Sequence, residues 1–276
     1  MAGHGRVELP GALALVTGAG SGIGRATALS LADRGASVLC VDLDEVAAEQ
    51  TAAACREKGA AIAGARRVDV ADRAAMEALA DEVHGTHGAL DVLVNNAGVG
   101  ITGRFTDTPL DDWQWIRSIN LDGVVHGCAL FGPPMLERRR GHVVNISSVL
   151  GYVATVTEPA YVTTKAGVLA LSQCLRADWR RDGVGVSAVC PGIIDTPIVT
   201  DGTRFRGDQA SSKKRRRTER LFKRGHRAEQ VAAAIVGAIE HDRAVVPVGW
   251  EARAGWVLHR LGPLPLQQVL ARGTRR

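Results

Sequence analysis

Short apolar runs alternate along the chain with longer segments in which apolar residues recur every three or four positions. Six of these longer segments have helical periodicity, at residues 22–34, 44–58, 72–85, 111–136, 159–181 and 227–240. Seven short runs have the length and composition of strands, at residues 12–18, 37–42, 63–70, 90–96, 141–148, 185–191 and 244–249. Strands that alternate with helices in this way are typical of a parallel sheet with crossover helices.

Several predicted strands are apolar on both faces, most clearly "VLCVD" at 38–42 and "VLVNN" at 92–96. A strand of this kind is expected where helices cover both sides of the sheet. We therefore predict an α/β fold with a doubly wound, parallel, seven-stranded sheet. Because ligands of such folds bind beyond the carboxyl ends of the strands, candidate functional residues should directly follow the strands.

The composition is that of a globular protein, with 276 residues of which 46% are hydrophobic, enough for one large domain or two small ones. Five cysteines are scattered without a CxxC pair, which favours buried free thiols in a reducing compartment and predicts no metal site. No apolar run reaches 18 residues and the first 20 residues do not have the pattern of a signal peptide. We expect a cytoplasmic protein.

Positive charge is concentrated in one place. The formal net charge is +5, and "KKRRR" at 213–217 alone carries five positive charges, so the rest of the chain is neutral. This distribution does not predict a nucleic-acid-binding face. We favour a solvated loop tip for this run, and an acidic substrate or a lipid headgroup remains as the alternative.

A glycine-rich segment, "TGAGSGIGRA", follows the first predicted strand and leads into the first helix. Glycine allows backbone amides to approach a pyrophosphate closely, and the helix amino terminus favours an anion. The spacing does not fit GxGxxG but does fit TGxxxGxG, with Thr17, Gly18, Gly22 and Gly24. A tight loop without a ligand is the alternative for this segment alone.

The segment "PAYVTTKAGVLALSQCL" contains Tyr161 and Lys165, four residues apart and therefore on one face of a helix. A phenol with a pKa of about 10 is a poor base at neutral pH. A lysine about 5 Å away would lower that pKa by roughly two units at an effective dielectric of about 20. We expect the threonines between the two residues to point away from this pair.

Together, TGxxxGxG and YxxxK resemble the short-chain dehydrogenase/reductase family, over residues 11–200. That family carries a serine thirteen residues before the tyrosine, here Ser148, and an asparagine on an upstream helix, here Asn120 in "SINLDGVVHG". The resemblance implies a Rossmann-like fold and a proton relay of Tyr161, Lys165, Ser148 and Asn120. Ser147 competes with Ser148 for the substrate contact, and spacing favours Ser148.

Asp42 ends the second predicted strand, 18 residues after Gly24. A carboxylate there can accept hydrogen bonds from the adenosine ribose and repels a 2′-phosphate. Neither Ser21 nor Leu43 is basic, so we predict NAD rather than NADP. Asp42 could instead cap the next helix, although Asp44 is equally placed to do so.

The resemblance assigns further cofactor contacts to three other strand ends, "VDVAD" (68–72), "NNAG" (95–98) and "CPGIIDTP" (190–197). Local structural roles are the alternatives: a helix cap at Asp72, a turn residue at Asn95 and a simple Pro-Gly turn. The predicted cofactor-binding residues are Gly18, Ser21, Gly22, Ile23, Gly24, Asp42, Leu43, Asp69, Val70, Asn96, Ala97, Gly98, Tyr161, Lys165, Pro191, Gly192, Ile194 and Thr196.

The alternation of strands and helices and the family resemblance also predict the domain organisation. We predict one Rossmann-type catalytic domain over 1–250 with a substrate lid at about 195–226, and an amphipathic C-terminal extension at 251–276. The extension, which contains Trp256, Leu264 and Leu270 among arginines, would pack on the domain or a sister subunit, or contact an anionic membrane peripherally. The family also implies a homodimer or homotetramer that forms through helices 111–136 and 159–181.

The predicted function is an NAD-dependent oxidoreductase that interconverts a secondary alcohol and a ketone. Val153, Ala154, Val156 and Thr157 lie between the serine and the tyrosine and suggest an apolar pocket for a hydrophobic substrate. Two alternatives remain: an NAD-binding sensor without turnover, and a membrane-surface protein in which the dehydrogenase fold is secondary.

Overall fold

The computed structural model describes residues 5–263. Its central sheet has seven parallel strands, in the spatial order β7-β6-β5-β4-β1-β2-β3. The strands are β1 Leu13–Thr17, β2 Ser37–Asp42, β3 Ala63–Arg67, β4 Val92–Asn95, β5 Gly141–Ile146, β6 Val184–Pro191 and β7 Val245–Val248. The predicted doubly wound, seven-stranded sheet is thus confirmed, and the chain reverses its direction across the sheet between β1 and β4.

Helices cover both faces of this sheet. They are α1 Gly22–Ala32, α2 Glu45–Glu57, α3 Arg73–His87, α4 Leu110–Arg117, α5 Gly123–Glu137, α6 Pro159–Trp179, α7 Ser212–Lys223, α8 Ala228–His241 and α9 Trp250–Leu261. One core cluster packs α1, α2 and α8 against the sheet, around residues such as Leu31 and Ile235. A second cluster packs α3, α5 and α6 against the other face, around Met76 and Phe131.

The helix predicted over 111–136 is interrupted. A π-helical turn, Ser118–Asp122, separates α4 from α5. Its buried residue Asn120 forms side-chain hydrogen bonds to the backbone of Val99, in the segment that follows β4. Such π-helical insertions are frequent at functional sites, and periodicity alone could not distinguish this one from a continuous helix.

Residues 195–226, predicted as a lid, contain more regular structure than the sequence indicated. Two short parallel pairings tie this segment to its neighbours: Gly100–Thr102 with Thr203–Phe205, and Ile194–Asp195 with His226–Arg227. The helix α7 also lies here, and all of its residues are exposed or half-buried. Because α7 has no apolar stripe, its sequence lacked the periodicity that predicts a helix.

The predicted C-terminal extension begins with α9, which packs on the body of the protein. Tyr152 donates a hydrogen bond to the carbonyl oxygen of Ala252 at 2.7 Å, and its ring lies edge-to-face with that of Trp256. Residues 264–276 of the extension lie outside the described residues. Within 5–263, no helix combines the length and the apolar character needed to cross a bilayer.

Candidate active site

A cleft of about 820 Å³ opens at the carboxyl ends of the central strands, where the strand order reverses. Every predicted cofactor-binding residue except Gly24 lines this cleft, and so does Ser148. Gly24 and Asn120 are buried and do not line the cleft. Parallel strands bring their carboxyl ends to one edge of a sheet, which is why residues so far apart in sequence meet here.

The glycine-rich loop forms the floor of the cleft between β1 and α1. Gly18 and Gly22 have φ angles of +64° and +51°, a region that favours glycine. A Cβ atom on Gly24 would overlap the carbonyl oxygen of Gly18, so this glycine allows the helix to pack against the loop. In the described part of the chain, the Ser21 hydroxyl makes no capping hydrogen bond to α1. The first-turn amides of α1 can therefore bind an anion.

The turn after β4 holds the glycine loop in place. The hydroxyl of Thr17 accepts hydrogen bonds from the backbone nitrogens of Asn96 and Ala97, at 3.0 and 3.1 Å. The Asn96 side chain donates to the carbonyl oxygens of Thr17 and Gly18, at 2.9 and 3.1 Å. Asn95 instead bonds to Asn145 on β5, at 2.8 Å. Asn95 and Asn96 thus align the strands and loop that form the cleft.

Asp42 lies in the cleft wall and contacts the glycine loop directly. Its carboxylate accepts hydrogen bonds from the backbone nitrogens of Gly20, at 2.8 Å, and Asp44, at 3.1 Å. The cap of α2 is Asp44, which accepts from the backbone nitrogen of Ala47 at 3.0 Å. The alternative role of Asp42 as that cap is therefore wrong.

A cation that the sequence analysis missed lies beside Asp42. Arg67 on β3 is in register with Asp42 on β2, and its Nε donates to the carbonyl oxygen of Leu43 at 3.2 Å. Arg67 lies 25 positions after Asp42 in the sequence, far from both the glycine loop and the residue that follows Asp42. The pairing of β2 with β3 was the signal that could have identified Arg67.

The end of β3 supplies Asp69 and Val70 to the cleft. The Asp69 carboxylate accepts a hydrogen bond from the backbone nitrogen of Ala71, at 2.9 Å. The predicted cap at Asp72 is confirmed, since its carboxylate accepts from the backbone nitrogens of Ala74 and Ala75 at the start of α3.

Tyr161 and Lys165 share one face of α6, with the lysine Nζ 5.7 Å from the centre of the tyrosine ring. Lys165 is buried, and its Nζ donates to the carbonyl oxygen of Ile146 at the end of β5, at 3.0 Å. Burial lowers the pKa of Lys165 to about 8, because desolvation disfavours the ammonium.

The pKa of Tyr161 does not follow our sequence-based expectation. Burial raises it to about 12; a hydrogen bond with Ser148 acts in the opposite direction, and the Glu158 carboxylate raises it further. The expected lowering by Lys165 is wrong for the protein alone, because desolvation disfavours the phenolate.

The two adjacent serines have different surroundings. The Ser147 hydroxyl donates to the carbonyl oxygen of Lys165 at 2.8 Å and is buried under α6. Ser148 accepts from the backbone nitrogen of Leu150 at 3.1 Å, which caps the short turn Val149–Gly151, and it also hydrogen-bonds Tyr161. Only Ser148 is thus directed at the tyrosine.

Asn120 is joined to Tyr161 through a residue that we expected to point away. Its amide nitrogen donates to the hydroxyl of Thr164 at 3.3 Å, and that hydroxyl donates to the carbonyl oxygen of Tyr161 at 2.8 Å. Thr163 is exposed, as expected, but Thr164 is buried within this network.

Gly98 separates the polar ends of two predicted relay residues. A Cβ atom built on Gly98 would lie 3.3 Å from Asn120 Oδ1 and 3.4 Å from Lys165 Nζ. Both polar atoms thus face the space beside this glycine.

The segment after β6 closes the cleft opposite the glycine loop. Pro191, Gly192, Ile194 and Thr196 line it, and a Cβ atom on Gly22 would lie 3.1 Å from the Thr196 methyl carbon. The two loops therefore meet across the cleft.

The remaining wall of the cleft is largely apolar, with Val99, Trp115, Ile198 and Phe222 among its residues. Residues 153, 154, 156 and 157, from which we expected an apolar pocket, are not among the cleft-lining residues. The apolar residues come instead from the segment after β4, from α4 and from the lid, whose positions depend on pairings distant in sequence.

A buried carboxylate connects α4 with the lid. Asp112 accepts hydrogen bonds from Arg204, at 2.8 Å, and from Arg206, at 2.6 and 3.1 Å. Burial opposes the charge of Asp112, but the two guanidinium groups lower its pKa overall. This ion pair fastens the lid strand Thr203–Phe205 to the helix that carries Trp115.

Known proteins share the sequence pattern and the fold. A family model described as short chain dehydrogenase matches residues 12–206. EphD of Mycobacterium tuberculosis, an oxidoreductase by name, is 41% identical over 262 residues, which are 93% of this chain and 44% of EphD. The chain thus spans less than half the length of this relative.

Two further proteins match over nearly their whole length. SadH of Mycobacterium tuberculosis, also an oxidoreductase by name, is 34% identical over 96% of both chains. The crystal structure of a short-chain dehydrogenase/reductase from Burkholderia phymatum in complex with NAD superposes with a TM-score of 0.82. It is 32% identical in sequence, and the match covers 92% of this chain and 94% of the other.

Proposed function

This chain belongs to the short-chain dehydrogenase family of oxidoreductases, and on that basis we propose that it interconverts a secondary alcohol and a ketone with NAD(H) as cofactor. The main support is one juxtaposition: the hydrogen-bonded Ser148 and Tyr161 lie in the same cleft as the glycine loop and Asp42. A proton-transfer pair and an anion-binding loop are therefore within reach of one ligand.

The cleft residues fit a dinucleotide. The glycine loop and the first turn of α1 would bind the pyrophosphate, Asp42 the adenosine ribose, Lys165 the other ribose and Thr196 the carboxamide. NAD, when bound, accepts or supplies the hydride and in its oxidised form adds a positive charge beside the tyrosine. The Asp42 carboxylate and the NAD complex of the Burkholderia relative favour NAD over NADP.

In the proposed reaction Tyr161 carries the hydroxyl proton. During oxidation the substrate hydroxyl gives its proton to the Tyr161 phenolate while the carbinol hydride leaves, and reduction reverses both transfers. The Ser148 hydroxyl would donate to the substrate oxygen and stabilise its developing negative charge. The Lys165 ammonium would stabilise the phenolate, and its pKa of about 8 leaves it charged at neutral pH.

The proton would leave through the space beside Gly98. A carbonyl oxygen has two lone pairs, so Asn120 Oδ1 can accept from a water while it also accepts from the backbone nitrogen of Val99. A water there would also be close to Lys165 Nζ. This arrangement supports Asn120 and Lys165 as the outer half of the relay.

A hydrophobic substrate is favoured by the wall of Trp115, Ile198 and Phe222. We also propose a homodimer or homotetramer that forms through α5 and α6, where Val125 is 42% exposed. The cytoplasmic location is supported by the five cysteines, all within the described range and all free thiols. Peripheral membrane contact through the C-terminal extension remains a prediction.

A panel of hydrophobic and sugar alcohols, assayed by the appearance of NADH absorbance, tests the proposed reaction. We expect turnover with hydrophobic secondary alcohols and little with sugars. NADH binding by fluorescence without turnover on any alcohol or ketone would favour a cofactor-binding sensor instead.

A further inference from the structure

The helix α7 carries a larger positive charge than the chain as a whole. Its twelve residues include seven lysines and arginines and one acidic residue, Glu219, whereas the net charge of the protein is +5. Every residue of α7 is exposed or half-buried. The charge is therefore a feature of one surface helix.

One stripe of α7 faces the body of the protein. Arg215, Glu219 and Phe222 are spaced by four and three residues and so lie on one side of the helix. Arg215 pairs with Glu219 at 3.2 Å, and its guanidinium carbon lies 5.5 Å from the centre of the Phe205 ring. Phe222 lines the cleft. This inner stripe holds α7 against the lid.

A second stripe lies on the opposite side. Lys213, Arg217 and Arg220 of α7 and Arg224, the residue that directly follows its last turn, succeed one another at intervals of four, three and four residues, and all four are exposed. At 3.6 residues per turn, this series lies about 180° from the inner stripe and extends over about 16 Å. These four residues form the outer stripe.

The outer stripe is not placed to bind a substrate inside the cleft. Among residues 5–263, the cleft lining includes Phe222 of α7 but none of the basic residues of that helix. The binding partner should therefore be an extended anionic surface outside the protein. Leu221, 52% exposed, flanks the outer stripe and favours a partner with an apolar layer beneath its charges.

We propose that the outer stripe of α7 docks on an anionic lipid bilayer, so that the lid and the mouth of the cleft face the membrane. Clusters of four or more lysines and arginines on a helix are typical of binding to acidic lipids. Each such residue near the surface increases binding by about fivefold, so two of them account for about 25-fold. The docking does not depend on the reaction of the cleft.

Vesicle co-sedimentation of the full chain tests this surface. Wild-type protein should bind phosphatidylglycerol/phosphatidylcholine vesicles at low salt and bind pure phosphatidylcholine vesicles at least tenfold more weakly. The double variant Arg217→Gln/Arg220→Gln should lose at least tenfold in binding to the mixed vesicles. Its NADH affinity, measured by fluorescence, should stay within twofold of wild type and report an intact fold.

A matched control removes the same charge from another surface. Arg180 and Arg181 follow the carboxyl end of α6, at the edge of the sheet opposite the cleft, and both are exposed. Arg180→Gln/Arg181→Gln should bind mixed vesicles as wild type does. Three results would overturn the proposal. They are equal losses of binding in the two double variants, equal binding of wild type to both vesicle types, and tighter binding to duplex DNA than to mixed vesicles at the same salt.

Discussion

The guanidinium carbon of Arg204 lies 3.6 Å from the centre of the Trp115 ring. Arg204 comes from the lid strand and Trp115 from α4, so this contact joins the two elements behind one wall of the cleft. Because Arg204 also donates to the buried Asp112, its guanidinium cannot leave the ring without breaking an ion pair. The position of Trp115 in the cleft wall thus depends on the lid.

Arg204→Gln should raise KM for bulky hydrophobic alcohols by about five- to thirtyfold, since a cation–π contact of about 1–2 kcal/mol is lost. The kcat should change less than about twofold, because no group of the proposed relay is altered. Steady-state kinetics on the preferred alcohol measures both parameters. Arg206→Gln, which removes an Asp112 contact but not the ring contact, is the control; equal KM values for the two variants would assign the effect to lid anchoring instead.

Tyr161→Phe should lower kcat by about a hundredfold to ten-thousandfold, the range expected for loss of a general acid-base group. NADH binding, followed by fluorescence, should persist. Tyr152→Phe is the matched control, because Tyr152 hydrogen-bonds Ala252 and packs on Trp256 away from the chemistry. It should keep kcat and lower the melting temperature; retained turnover in Tyr161→Phe would refute the assignment.

Alcohol oxidation should accelerate as pH rises towards about 8, the pKa of Lys165, above which the ammonium that stabilises the phenolate is lost. The phenolate of Tyr161 is the base, and its pKa of about 12 in the protein alone means that each pH unit below that value costs tenfold in deprotonated enzyme. Ketone reduction uses the protonated phenol and should show no such rise. We would measure kcat/KM against pH for alcohol oxidation and for ketone reduction and compare the two profiles. Parallel profiles would argue against Tyr161 as the proton carrier.

Asp42→Asn should shift the cofactor preference towards NADPH. The substitution removes the charge that repels a 2′-phosphate, while Arg67 stays in register on the neighbouring strand. We expect the ratio of the Kd values for NADPH and NADH to fall about tenfold, corresponding to about 1.4 kcal/mol. Adding Arg67→Gln should reverse most of this change. An unchanged ratio in Asp42→Asn would show that the charge of Asp42 does not select the cofactor.

Acidification should destabilise the fold through His142. This residue is fully buried, with ring nitrogens 2.6 Å from the Gly5 carbonyl oxygen and 2.8 Å from the Ser187 hydroxyl. Burial lowers its pKa from 6.5 to about 4. Between these values the unfolded chain binds a proton that the folded chain does not, so the free energy of unfolding falls as pH falls.

The expected contribution of His142 is about 3 kcal/mol between pH 6.5 and 4. Urea unfolding at several pH values measures it. His142→Asn should be less stable at neutral pH but lose less stability on acidification. His241→Gln, a change at an exposed histidine, should reproduce the wild-type pH dependence. If the free energy of unfolding of His142→Asn depends on pH as that of wild type does, the acid sensitivity belongs to other groups.

The sequence predicted the sheet and the loop of the cleft because those features are local or strongly patterned. Strands apolar on both faces, a glycine-rich turn after β1 and a Tyr-Lys pair on one helix face can each be recognised within a few residues. Trp115, Arg67 and Thr164 could not be recognised in this way. Their roles depend on which strand or helix lies beside them, and such pairings connect residues up to about ninety positions apart.

The interruption at 118–122 and the helix α7 were missed for different reasons. A π-helical turn changes the helical period by one residue per turn, which apolar spacing over so short a segment cannot detect. The helix α7 lies on the surface and presents polar side chains on every side, so it has no apolar stripe. Both lie where the protein departs from regular core packing, and both border the cleft.

Gly98 is required for space rather than for backbone freedom. Its φ lies outside the left-handed region, so alanine could adopt the same backbone there. A single methyl group would nevertheless occupy the gap between Asn120 Oδ1 and Lys165 Nζ and exclude a water molecule from it. In a Gly98→Ala enzyme, therefore, hydride transfer would keep its rate while proton transfer from Tyr161 to solvent would be slowed. The first turnover would proceed normally, and return of Tyr161 to its starting protonation state would limit the rate of every later turnover.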